Sequence, residues 1–151
     1  MDKFKFIIDE QSVAEQIADL LNTYNKLKVI HTKHTVLANN IIYLVKQKYI
    51  EGSPKIIGCV GIDKIDHSMT TLRHLCVDVN QRQTGIGLEL LNNALAYVST
   101  KYVQMHIRHD NLPSVHLASK LGFLVDTYDI KNGYFILTVK KEAHAETYRV
   151  H

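Results

Sequence analysis

LRHLCVDVNQRQTGIG, residues 72–87, is the stretch that decides the fold. Its apolar first half reads as a strand that ends near Val79. A polar turn follows. Arg82, Gly85 and Gly87 then stand as Arg-x-x-Gly-x-Gly at the opening of a helix. That helix is read from Leu88, Leu91, Ala94, Leu95 and Val98, which fall on helical spacing. The first N–H groups of a helix have no intrahelical partner and point one way. The helix dipole adds partial positive charge there and Arg82 adds a full one, so the loop suits a phosphate or pyrophosphate. Glycines let the backbone approach such an anion with no Cβ between. Taken alone, the stretch is also compatible with a plain turn before a helix. It is not a dinucleotide fingerprint, which needs a third glycine, and not a P-loop, because Leu88 and Glu89 follow Gly87.

Outward from this stretch, strand and helix patterns alternate. Phe4, Phe6 and Ile8 alternate through residues 3–8, a first strand. Ser12 and Glu15 have capping-box spacing before Val13, Ile17, Leu20, Leu21 and Tyr24, which predicts a helix over 13–25. Residues 26–40 stay open; Val29, Ile30, Val36 and Leu37 would support a second short helix. Ile41–Lys46 and Ile56–Ile62 are β-rich, with a turn at Gly52-Ser53-Pro54 between them. Asp66-His67-Ser68 marks a turn before the strand Thr70–Val79, giving an antiparallel run. After the central helix, Val103–Arg108 returns through a crossover, so it should lie parallel to that strand. Pro113 suits a first helical turn, Val115, Ala118 and Leu121 line one face, and Gly122 suits the position past the helix end. Phe123–Asp129 and Gly133–Lys140 read as a hairpin about Lys131-Asn132-Gly133. Residues 141–151 read as a polar tail.

The chain of 151 residues suits one domain, and 46% hydrophobic with 22% charged residues is ordinary for a globular protein. A net charge of +3 fits an anionic cofactor but is too weak, and its 18 Lys and Arg too dispersed, to point to nucleic acid. No apolar run approaches the ~20 residues of a membrane span, and Met1–Lys5 runs into a strand pattern rather than a leader, so a cytoplasmic location is expected. Cys59 and Cys76 sit in apolar runs and read as buried free thiols. His31-x-x-His34 and His106-x-x-His109 lack a third ligand in sequence, so no metal is expected. Asp63 and Asp66 read as turn caps, and Lys140-Lys141 as a solvated strand end.

Leu-Arg-x-Leu-x-Val-Asp followed by Arg-x-x-Gly-x-Gly resembles the motif with which the GNAT family of N-acetyltransferases holds the pyrophosphate of acetyl-coenzyme A. Asn111, Leu117, Lys120, Gly122 and Phe123 resemble the family's next motif, in the right order. The resemblance is specific over 72–123. It implies an α/β domain over residues 1–140 with a mixed central sheet of about seven strands and about four helices, splayed at the acetyl-CoA site. It implies acetyl-CoA as cosubstrate, held by Leu75, Cys76, Val77, Arg82, Gln83, Thr84, Gly85, Ile86, Gly87, Asn111, Ser114 and Lys120. In the family, a bulge before the loop exposes backbone N–H groups to the pantetheine arm and the thioester oxygen. By position these are the groups of Leu75, Cys76 and Val77, with Val77 the oxyanion donor.

Acyl transfer to an amine also needs a proton acceptor. His106 is the first candidate, at a position where the branch acting on protein N-termini commonly has glutamate; an imidazole titrates near ~6.5. His74, on the strand before the loop, is the second, and a surface-facing strand residue is its ordinary reading. Neither Leu72 nor Arg73 supplies the acid of the histone-type enzymes. The family tyrosine that protonates the leaving thiolate is replaced by Ala118, which has no proton to give. Ser114, one turn earlier, is the substitute donor.

The function expected is acetyl transfer from acetyl-CoA to a primary amine by direct attack in a ternary complex. The acceptor is a small molecule or a protein amine, and a homodimer is open. Two alternatives stand beside it: a coenzyme A-binding module without turnover, favoured by Ala118, and an enzyme acting on an aminoacyl amine of RNA.

Overall fold

The structure, a computed structural model, describes residues 10–24, 30–81 and 85–141. The expected strand 3–8 and the segment beyond Lys141 lie outside these residues, and so do Arg82, Gln83 and Thr84. Helix α1, Glu10–Tyr24, buries Ala14, Ile17, Ala18, Leu20 and Leu21, a single stripe at helical spacing. It begins before the expected cap. Ser12 lies inside the first turn, where its Oγ accepts from Gln16 Nε2 at 3.4 Å. Helix α2, Lys33–Ala38, settles the open segment in favour of a second short helix. Thr32 caps it: Thr32 Oγ1 accepts from the Thr35 N–H, and Thr35 Oγ1 accepts from the Thr32 N–H.

Strands β1, Ile42–Ile50, and β2, Ser53–Lys64, are joined by Glu51 and Gly52, whose φ angles are 53° and 80°. A two-residue turn of this kind joins only antiparallel strands. The turn therefore comes earlier than Gly52-Ser53-Pro54; Pro54 sits at the start of β2, where a strand tolerates it. Strand β3 runs Met69–Val77, short of Val79. It stops because Asp78 turns the chain, its carboxylate accepting from the Asn80 N–H at 2.9 Å to open a 3-10 turn at Val79–Gln81. Helix α3 is Ile86–Tyr97, and Val98 follows its last residue, its N–H still bonded to the Ala94 carbonyl. Strand β4 is Tyr102–Arg108, helix α4 Leu112–Lys120, β5 Leu124–Asp129 and β6 Tyr134–Lys140.

The six described strands form one mixed sheet in the order β1-β2-β3-β4-β6-β5, against about seven expected. The expected parallel pair is present: β3 and β4 pair from Met69 with Tyr102 to Leu72 with Met105. The chain divides into two packing units. The first holds the described part of 1–61 with 74–93, and its core joins the α1 stripe to Val36, Ile56, Cys59 and Cys76. Both cysteines are buried free thiols. The second holds 62–73 and the described part of 94–151. In it Val103, Met105 and Ile107 alternate inward on β4, and Ala118, Phe123 and Leu137 are buried.

Two polar assignments change in the second unit. Asp66 caps its turn, accepting from the Ser68 N–H, the Ser68 hydroxyl and the Met69 N–H, and these bonds, led by the Ser68 N–H, lower its pKa. Asp63 does not; it pairs with Arg73 Nε at 2.7 Å. Lys141 is no solvated end, since its Nζ donates to the Val98 carbonyl and burial lowers its pKa. Among the described residues no helix is long and apolar enough to cross a membrane.

Candidate active site

In the first unit the site is built around a break in β3. His74 has φ 57°, left-handed backbone in the middle of a strand. For a residue with a Cβ this costs about 1–2 kcal/mol, so neighbours must hold it. Cys59, fully buried, donates from Sγ to the His74 carbonyl at 3.4 Å. Burial pushes the Cys59 thiol well up, which keeps its proton in place for that bond. Past the break, Cys76 turns its Sγ to the Leu20 carbonyl at 3.3 Å, while Leu75 and Val77 are half-buried. His74 is therefore not a surface-facing strand residue: it is half-buried, with Nδ1 2.8 Å from Tyr43 Oη and its ring against His31.

The opening of α3 belongs to the same unit. Gly85 has φ 82°, which a residue with a Cβ adopts only under strain, and its carbonyl accepts from the Glu89 N–H at 2.9 Å. Gly85 is thus the residue before the helix, and Ile86, Gly87 and Leu88 supply first-turn N–H groups that lie outside the intrahelical ladder. Gly87 has no positive φ. Lys46 on β1 fixes this end of the helix through Glu89, at 3.1 Å. Oriented N–H groups at the positive end of a helix dipole fit the diphosphate of a coenzyme A.

The second unit carries the remaining candidates. His106 lies one residue past the last β4 position paired with β3, opposite Ile136 of β6, and shares an exposed face with Gln104, whose Oε1 lies 2.9 Å from Nε2. The amide oxygen accepts there, so Nε2 bears the proton and Nδ1 is the basic nitrogen. Partial covering of the ring lowers its pKa first, the Arg73 cation lowers it further, and Asp129 opposes them. The imidazole is thus held neutral near pH 7. Asn111 caps α4, its Oδ1 accepting from the Ser114 N–H at 3.4 Å, with Pro113 in the first turn as expected. Gly122 ends the helix at φ 91°. Ser114 is half-buried and Lys120 exposed in the last turn, so α4 puts Asn111 and Lys120 at opposite ends, about 13 Å apart at 1.5 Å per residue. Ala118 is fully buried: the position of the family tyrosine serves packing here.

Reading the sequence missed Tyr43, His31 and Arg73 as members of these clusters. Only Arg73 carried a local cue, since β3 and β4 pair in parallel and the next step past Leu72 and Met105 sets Arg73 beside His106.

The sequence profile of the acetyltransferase (GNAT) family matches residues 11–123. Among curated proteins no sequence matches the chain. Solved structures resemble it in fold. Spermidine N-acetyltransferase SpeG of Vibrio cholerae, as its N152L mutant, is 15% identical, covering 94% of this chain and 96% of its own, at a TM-score of 0.74. The ribosomal-protein-S18-alanine N-acetyltransferase of Escherichia coli is 16% identical over 84% of this chain and 86% of its own, at 0.65. A GNAT family acetyltransferase of Elizabethkingia anophelis with acetyl-CoA bound is 18% identical over 80% and 87%, at 0.63. The matched span takes in the interrupted strand, the glycine at the opening of α3 and the capped helix α4, and on it the chain belongs to the acetyltransferase (GNAT) family, enzymes that use acetyl-CoA as cosubstrate.

Proposed function

We propose that this protein transfers the acetyl group of acetyl-CoA to a primary amine by direct attack in a ternary complex, with residues 1–140 as the catalytic domain. One observation carries the reading: the left-handed turn at His74, which interrupts β3 immediately before Leu75, Cys76 and Val77. A strained residue inside a sheet strand persists only where its surroundings over-determine it, and such residues cluster at active sites and ligand clamps. In this reading the backbone of Leu75–Val77 receives the pantetheine arm, with the Val77 N–H as donor to the developing oxyanion. Gly85, Ile86 and Gly87, with Arg82, Gln83 and Thr84, receive the pyrophosphate, and Asn111, Ser114 and Lys120 add contacts from α4. His106, neutral near pH 7, accepts the proton that the attacking nitrogen loses as the C–N bond forms. Ser114 passes a proton to the departing thiolate, which at a free-thiol pKa near ~8.5 needs little help. The acceptor is a polyamine-like small molecule or a protein amine, the two classes named for the Vibrio and Escherichia structures.

Calorimetric titration of acetyl-CoA into the wild type and a Gly85→Glu variant tests the cofactor half, and mass spectrometry of an amine panel tests transfer. Binding is expected in the wild type and lost in the variant, whose carboxylate repels the diphosphate; a wild type that binds nothing sinks the proposal. The buried Ala118 favours the second reading, a coenzyme A-binding module without turnover, which predicts tight binding and no acetylated amine.

A further inference from the structure

Turning an alkylammonium into an amide removes two protons from one nitrogen. One leaves before attack, because a protonated nitrogen has no lone pair. The other leaves as the C–N bond forms. The thiolate consumes one; the other must reach solvent, and a single imidazole cannot hold both. Resting on the transfer reading above, we propose that Tyr43 and His74 take the first proton from the acceptor ammonium, with Tyr43 in contact with the nitrogen and His74 the base behind it.

The cluster is built for this polarity. Asn39 Nδ2 donates to Tyr43 Oη at 3.3 Å, and Oη lies 2.8 Å from His74 Nδ1; in the tautomer with the His74 proton on Nε2, the phenolic O–H is the donor of that bond. The Tyr43 and His74 rings stack with centroids 5.9 Å apart and planes 14° apart, so the hydrogen bond cannot swing freely. His31 packs on His74 edge to face, with centroids 5.0 Å apart. His31 is itself pinned: Asn22 Oδ1 accepts from its N–H at 2.8 Å and Asn22 Nδ2 donates to its carbonyl at 2.7 Å. Among the described residues, the titratable groups in contact with His74 include Tyr43, His31 and, through its carbonyl, the Cys59 thiol. Tyr43 packs against the apolar core, and these contacts together hold the imidazole of the strained residue that precedes Leu75–Val77.

The step balances. The ammonium N–H bond breaks and a new O–H bond forms at Tyr43 Oη. The old phenolic O–H bond breaks and an N–H bond forms at His74 Nδ1. The products are a neutral amine, a neutral tyrosine and an imidazolium, which returns its proton to water. The logic is that of a hydroxyl activated by an adjacent imidazole.

The test uses Tyr43→Phe, which removes only the hydroxyl, and His74→Asn, because asparagine tolerates left-handed backbone and keeps the turn. Acetyl transfer is measured to spermidine, a lysine peptide and a peptide with N-terminal alanine, across pH ~6 to ~10, alongside acetyl-CoA calorimetry. Both variants are expected to bind acetyl-CoA as the wild type does and to lose roughly 10²-fold in kcat near pH 7. The deficit should shrink as pH approaches the ~10.4 of an alkylamine, where water has already removed the proton. A purely structural role would not give that recovery. An active wild type whose variants lose nothing, or lose the same factor at every pH, overturns the inference. A wild type that binds acetyl-CoA and acetylates none of the three amines overturns the transfer reading instead, and this inference with it.

Discussion

Gly58 on β2 lies where one added methyl group would report on both the core and the cofactor end of α3. A Cβ built there would stand 3.1 Å from Leu90 Cδ1, 3.3 Å from the Cys76 carbonyl oxygen and 3.3 Å from Ile86 Cγ2. Leu90 can rotate a methyl away. The Cys76 carbonyl is backbone of β3 and cannot, so β2 and β3 must part by a few tenths of an ångström, and the Ile86 side chain on the first residue of α3 must give as well. Overpacking of this kind costs about 1–3 kcal/mol. Loss of unfolded-state freedom on replacing glycine by alanine offsets about 0.4–1 kcal/mol of it. The central values, about 2 and about 0.7 kcal/mol, leave a net destabilisation of roughly 1.3 kcal/mol, which for a chain of this length lowers Tm by about 3–5 °C. Because the shift falls on the first turn of α3, acetyl-CoA affinity should fall with it. Thermal unfolding followed by circular dichroism and calorimetry of acetyl-CoA on Gly58→Ala read the two effects. A variant as stable as the wild type, or more stable, would show that β2 and β3 part easily here and would refute the packing reasoning.

Two further substitutions separate the roles in the second unit. Arg73→Gln removes the cation that holds the His106 pKa down, so the pKa rises. A base works only above its pKa, so the acid limb of the kcat/KM profile should move to higher pH, with activity lost in mild acid and kept near pH 8; an unmoved limb excludes His106 as the titrating group. Asn111→Ala removes the cap of α4 and should cost about 0.5–2 kcal/mol, measured by urea unfolding. An affinity loss for acetyl-CoA larger than the stability loss explains would separate a ligand contact from the cap.

Much of the fold was legible because its cues are local. The strand-loop-helix order at 69–97, the Asn111 cap, Gly122 past α4 and the hairpin at 124–140 each follow from residues within a few positions of one another. The parallel pairing of β3 with β4 followed from the crossover between them. Boundaries were less legible where a side chain had two local uses: Ser12 sits inside α1 rather than before it, and Ser53 and Pro54 open a strand rather than closing a turn.

The sequence by itself determined the order of the elements from β1 onward, the glycine at the head of α3 and the two motifs by which the family is identified, since helix periodicity, capping and backbone freedom act over one or two turns of chain. Only the tertiary structure decided what the titratable groups do. Asp63 left its turn for Arg73, Lys141 reached the Val98 carbonyl, and His74 met Tyr43 and His31. Those partners lie 10, 43, 31 and 43 positions apart along the chain, by subtraction of their residue numbers, and whether a histidine is a base or a surface residue depends on what stands within a few ångströms of its ring, which no local pattern encodes.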